Sequence, residues 1–264
     1  MVSFGDSLSD VGSDGTATLK AVTGGGKYTV NAADSKNWTE LIAAAAGTTA
    51  PCPAQTGLES SGPLAAFAEA TTNHAGCYGY AQGGTRVTNP VGVANKGLMA
   101  LGDASGYMGQ LTDPVINQIN RHLATTASGT FSGTELVTML AGANDLFINL
   151  GTFAATVGAG GDATLAGGAA VTAMGTAGAE LAGYIKALIV AKGAKHVVVV
   201  VTLPDVSQTP FGYSQPASVQ GLINTMATTF NSQLTSGLAG TSGVLIVDAY
   251  TRAGFRPQVR CNTA

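Results

Sequence analysis

The chain has 264 residues, 45% of them hydrophobic and only 10% charged, with a net charge of −3. That is ample for one domain with a real core, and it excludes the basic patch that a nucleic-acid partner needs. No apolar run approaches the roughly 20 residues that span a bilayer, and low charge with abundant Gly, Ala, Ser and Thr points away from a charge-rich cytosolic protein.

In chain order, residues 1–5 read as a short apolar strand that opens into a Gly-bounded turn at Gly5-Asp6-Ser7. Because the chain starts inside this strand, a leader is expected to have been removed. Trp38 to Ala46 reads as a helix. Cys52 and Cys77 then bracket a polar loop containing Gly, Pro and Ser, and are expected to form a disulfide in an oxidising compartment. Residues 78–83 read as a second strand, and 109–125 as a helix with the stripe Leu111, Val115, Ile119 and Leu123. A third strand spans 135–141. The Gly/Ala-rich stretch after Leu150, around 158–163, reads either as a mobile flap or as an ordinary surface loop. Residues 165–191 form a long Ala-rich helix that stops at Lys192-Gly193, and 217–237 another, with Val219, Leu222, Ile223, Met226, Phe230 and Leu234 at helical spacing. The runs 196–202 and 243–248 are continuously apolar, as strands buried on both faces of a parallel sheet are. Five strands alternating with helices predict an α/β fold, a three-layer α/β/α sandwich with a five-stranded parallel sheet.

Ser7, at the end of the first strand, is placed where open α/β sheets hold their ligands. The string Gly5-Asp6-Ser7-Leu8-Ser9-Asp10-Val11-Gly12 resembles the GDSL signature of the SGNH serine hydrolases. A second block, Tyr78-Gly79-Tyr80-Ala81-Gln82-Gly83-Gly84-Thr85-Arg86-Val87, resembles the family's segment that ends in an oxyanion-hole glycine. Gly84 is the better match for that glycine and Gly83 is the alternative, while Gly79 stands where the family often has Asn. A third block, Leu136 to Leu146, contains the family's G-x-N-D as Gly142-Ala143-Asn144-Asp145. Leu203-Pro204-Asp205-Val206 with Thr209-Pro210 is similar to a further family segment. The resemblance implies a flavodoxin-like strand order. It implies Ser7 as nucleophile, and Gly84, Asn144 and the Ser7 N–H as oxyanion donors. Each such donor contributes roughly 3 kcal/mol to lowering an acyl-transfer barrier. Leu146, Phe147 and Ile148, which follow Asn144, are candidate acyl-pocket lining.

A serine nucleophile needs a base, usually a histidine oriented by a carboxylate. No Asp or Glu stands three residues before any of the three histidines, so the family's Asp-x-x-His block has no counterpart here. His196 reads as a strand-start residue and His122 as a solvated residue on the polar side of its helix. His74, in the loop before the second block, is the one histidine expected near the pocket and the alternative candidate for the base. The expectation is therefore a single domain over 1–264 that is cut near its C-terminal end. A separate fragment would supply Asp and His, and a cysteine partner for Cys261, the odd one of three.

Asp6 and Asp10 are expected to accept local backbone N–H groups, and Asp205 and Asp248 to be structural. No metal cluster and no cofactor motif is read: Gly24-Gly25-Gly26-Lys27 lacks both the first Gly and the Ser/Thr of a phosphate loop. The reading is a secreted serine esterase or lipase acting on an ester or lipid substrate. The alternatives are an acyltransferase or phospholipase on the same scaffold, or a non-catalytic ester- or glycan-binding domain.

Overall fold

A computed structural model describes residues 1–23, 27, 35–195 and 198–252. His196, Cys261 and Gly24 to Gly26 lie outside the described residues.

The centre is a parallel sheet of four strands in the order β1 (Val2–Gly5), β4 (Val137–Leu140), β5 (Val198–Val201) and β6 (Val244–Val247). Gly5 pairs with Leu140, Val137 with Val198, and Val198 with Val244. All carboxyl ends therefore open on one edge. Helices cover both faces, and every residue of β1 and β4 is buried, including Ser3 and Thr138. β6 is less covered: Leu245 is 53% exposed.

The expected fifth strand is reduced. Segment 78–82 runs beside β1 through Ser3 N–H to Tyr78 O (3.0 Å), Tyr80 N–H to Ser3 O (2.8 Å) and Gln82 N–H to Gly5 O (3.2 Å). Only an isolated bridge forms, at Gly79. Counted as a fifth member, it gives the flavodoxin-like order, second-first-third-fourth-fifth. Its outer side is occupied by residues 52–54, where Gly79 N–H reaches Cys52 O at 2.9 Å and Ala54 N–H reaches Gly79 O at 2.8 Å. A Cβ at position 79 would sit 2.7 Å from both Cys52 O and a Val11 methyl, which is why glycine stands there.

Cys52 and Cys77 are bonded, as expected. The chain they enclose is no simple loop: β2 (Gln55–Leu58) and β3 (Glu69–Asn73) form an antiparallel hairpin within it.

The helices are α1 (Ala17–Thr23), α2 (Trp38–Ala45), α3 (Val115–Thr125), α4 (Ala143–Gly158), α5 (Ala163–Tyr184), α6 (Pro210–Tyr213), α7 (Ala217–Leu238) and α8 (Ala249–Arg252). Asn37 and Glu40 make a capping box at the start of α2. α3 begins six residues later than its apolar pattern predicts. Gly109 takes a left-handed conformation and Pro114 occupies the cap, so 109–114 cannot continue the helix. The predicted 165–191 helix divides into α5 and a π-helical turn at Ile185–Val190. α5 and α7 pack closely, because Gly178 lets the Phe230 carbonyl lie where a Cβ would be 2.4 Å away. In α7, Ile223, Met226, Phe230 and Leu234 are buried, as their spacing predicts. Among the described residues no helix is long and apolar enough to cross a membrane.

Candidate active site

β1 ends against its neighbour. Gly5 has φ +143°, and a Cβ there would lie 2.1 Å from Leu140 O. The chain then turns sharply. Asp6 N–H bonds Leu140 O at 3.1 Å and Ser9 N–H bonds Asp6 O at 3.0 Å, leaving Ser7 half-buried at the apex. Among the described residues, neither the N–H nor the hydroxyl of Ser7 is hydrogen-bonded.

Asp10 anchors this turn, as a backbone acceptor should. Its Oδ1 takes the N–H groups of Gly12 (2.8 Å) and Ser13 (2.7 Å), and its Oδ2 takes the Ser13 hydroxyl and the Gly83 N–H, the latter at 2.9 Å. Asp6 accepts Leu8 N–H at 3.1 Å through Oδ1, while its Oδ2 has no partner. Burial pushes the Asp6 carboxyl up to about 7 and the Asp14 carboxyl up to about 8. Asp10 is raised by burial too, against the pull of its four donors.

The second block reaches the same edge of the sheet. Gly83 has given its N–H to Asp10, whereas Gly84 has not: among the described residues nothing accepts the Gly84 N–H. Gly84 has φ +73°, and a Cβ would lie 2.2 Å from Val93 O. Its conformation and its close approach to residue 93 both require glycine.

The third block enters α4 through Gly142, at φ +117°. Asn144, buried in the first turn, donates one N–H of its amide to Thr85 O at 2.8 Å, and its other N–H remains. Asp145 accepts Arg86 Nε and Val87 N–H, each at 2.9 Å. Burial raises the Asp145 carboxyl, with Arg86 opposing. Residues 85–87 are thus fastened to 144–145, next to Gly84. Ser7, Gly84 and Asn144 stand two to four residues beyond the ends of three adjacent strand segments.

Other expected residues are placed differently. Leu146 is 0% exposed and belongs to the core, so it does not line an open pocket. Phe147 is 37% exposed and meets Phe211 edge-on at 5.3 Å; Ile148 is half-buried. Phe211, just after Thr209-Pro210, escaped sequence reading. The flap reading is corrected too. α4 continues unbroken to Gly158, and 14 residues of helix carry that stretch roughly 20 Å from Asn144.

The histidines do not complete the site. His74 pairs with Thr56 at 2.8 Å and faces a cavity of about 660 Å³ shared with Tyr78, Tyr80 and Arg121. His122 is not solvated. It is buried among Phe4, Tyr78, Tyr80 and Phe131, with ring centroids at 4.8 to 6.0 Å, and burial lowers its pKa to about 4. Gln118 and His122 take buried positions between Val115, Ile119 and Leu123 on α3.

Asp205 caps the turn at Val206 through Ser207, and Asp248 bonds Thr251; both act structurally, as expected. Among the described residues, no group of three or more His, Cys, Asp or Glu could hold a metal ion.

Residues 1–240 match the GDSL-like Lipase/Acylhydrolase family. The chain belongs to this family. At that level it is a serine ester hydrolase. No curated protein matches the sequence.

Proposed function

We propose that this GDSL-family chain is a secreted carboxylic ester hydrolase with Ser7 as nucleophile. The observation that carries the reading is the set of uncommitted donors on three adjacent segments: Ser7 N–H, Gly84 N–H and one amide hydrogen of Asn144. Ser7 Oγ attacks the ester carbonyl, and its proton passes to a base. The carbonyl oxygen becomes an oxyanion held by the three donors. The C–O bond to the alcohol breaks as the alcohol takes a proton. Water then attacks the acyl-enzyme, releasing the acid and restoring the Ser7 hydroxyl.

The base is assigned to an Asp-x-x-His element outside these 264 residues, with a cysteine partner for Cys261 on the same piece. The engagement of His74 with Thr56 and the burial of His122 support that assignment. The Cys52–Cys77 bond supports an extracytoplasmic location. The exposed Phe147–Phe211 pair beyond Asn144 supports an apolar acyl group.

The test is hydrolysis of p-nitrophenyl butyrate by the intact protein and by its Ser7→Ala variant. Turnover lost in Ser7→Ala supports the reading, and turnover retained in that variant rejects it.

A further inference from the structure

Gln118 is uncharged, lies in the first turn of α3 and is 0% exposed. Its amide is fully used. Oε1 accepts Gly5 N–H at 2.9 Å, while Nε2 donates to Gly5 O and Asp113 O, each at 2.9 Å, and contacts Thr85 Oγ1 at 3.4 Å.

The pairing of β1 with 78–82 shows what this amide replaces. The rungs run Ser3 N–H to Tyr78 O, Tyr80 N–H to Ser3 O, and Gln82 N–H to Gly5 O. A regular parallel ladder would add Gly5 N–H to Tyr80 O. That rung is missing, and Gln118 Oε1 takes the Gly5 N–H instead. The side chain thus ends the ladder at the last residue of β1. Past this point the second block leaves the strand register and turns through Gly83 and Gly84. Thr85, which Gln118 also touches, gives its carbonyl to Asn144.

We propose that Gln118 is a positioning residue for the ester hydrolysis. It sets the ends of β1 and of the second block against each other, so that the Ser7 and Gly84 N–H groups converge on one oxygen. This role rests on the hydrolase reading above. Gln118 touches no substrate; it acts through Gly5 and Thr85. Displacing a catalytic donor by about 1 Å costs on the order of 100-fold in rate, and such shells have to hold their groups within about 0.5 Å.

The experiment compares wild type, Gln118→Met and Gln118→Glu in the intact protein, with p-nitrophenyl butyrate as substrate and rates expressed per Ser7 titrated by a fluorophosphonate. Gln118→Met keeps the volume and removes every hydrogen bond. It is expected to lower kcat about 100-fold with KM little changed. Gln118→Glu turns a carboxylate toward Gly5 O and Asp113 O, two acceptors. Protonation gives it back one donor, so its activity relative to wild type is expected to rise as pH falls from 8 to 5. If both variants keep the wild-type kcat per titrated site, and Gln118→Glu shows no such recovery, the residue is merely structural and the proposal is overturned. A wild type without Ser7-dependent turnover overturns the hydrolase reading and this role together.

Discussion

Asp10 and Gly83 are 73 residues apart, and the carboxylate of one holds the backbone N–H of the other at 2.9 Å. This bond distinguishes two neighbouring glycines. It ties the turn after Ser7 to the second block and consumes the Gly83 donor, so Gly84 is the member of the pair with an N–H to offer.

The donor set is tested by substitution. Asn144→Ala removes a side-chain donor together with the bond to Thr85 O at 2.8 Å. Gly84→Ala drives a Cβ toward Val93 O, at 2.2 Å in the present geometry. Each is expected to lower kcat by about 10²–10³-fold, as loss of an oxyanion donor does. Steady-state kinetics checks this, with circular dichroism confirming the fold. A drop of less than about tenfold in Asn144→Ala speaks against its role.

Leu146 and Phe147 are adjacent but face different surroundings, and their alanine variants are expected to separate accordingly. Leu146→Ala opens a cavity in the core and costs about 2–5 kcal/mol of stability. Phe147→Ala, partly exposed beside Phe211, costs far less and shifts the preference among p-nitrophenyl esters of different chain length. Urea denaturation and an acyl-length series measure the two effects.

The buried carboxyls give the fold a pH dependence of definite sign. Asp6 and Asp14 rise from 3.8 in the unfolded chain to about 7 and about 8 in the folded protein. The folded state therefore binds these protons more tightly. The stability they contribute is complete below about pH 4 and is lost as pH rises through about 7 and about 8. Asp14→Asn removes one such group, so the variant is expected to gain melting temperature relative to wild type more at pH 9 than at pH 5. Each 1 kcal/mol moves the melting point of a domain this size by roughly 2–4 °C. An equal shift at both pH values would contradict the burial argument.

The Cys52–Cys77 bond closes a loop with a sequence separation of 25, worth about 3 kcal/mol in the chain-entropy account. Alkylation without reductant is expected to leave both residues unmodified, and a Cys52→Ala/Cys77→Ala variant to lose about that much stability by denaturant titration. Two alkylated thiols at these positions would reject the bridge.

The parts of the site that were legible in the sequence are those in which local chemistry and position coincide. An apolar strand running into Gly5-Asp6-Ser7 and another running into Gly142-Ala143-Asn144 state both the strand and its turn. Gln118 and His122 were hidden because periodicity is scored on apolar residues, and a polar side chain four residues from another reads as a solvent face. Both turn inward here, one onto the end of β1 and the other into an aromatic cage. Segment 78–83 reads as a full strand because its residue types suit one, while the lost rung at Gly5 depends on a helix 36 residues away. The β2–β3 hairpin was missed for a similar reason. Its polar residues lack an alternating pattern, and the largely exposed β3 is held by the bond between Cys52 and Cys77 and by pairing with β2.

The most direct measurement is the mass-mapped adduct of a fluorophosphonate on the intact protein. The account predicts one adduct, on Ser7, abolished in Ser7→Ala and slowed in Gly84→Ala and Asn144→Ala. An adduct on another residue, or labelling that survives Ser7→Ala, would contradict it.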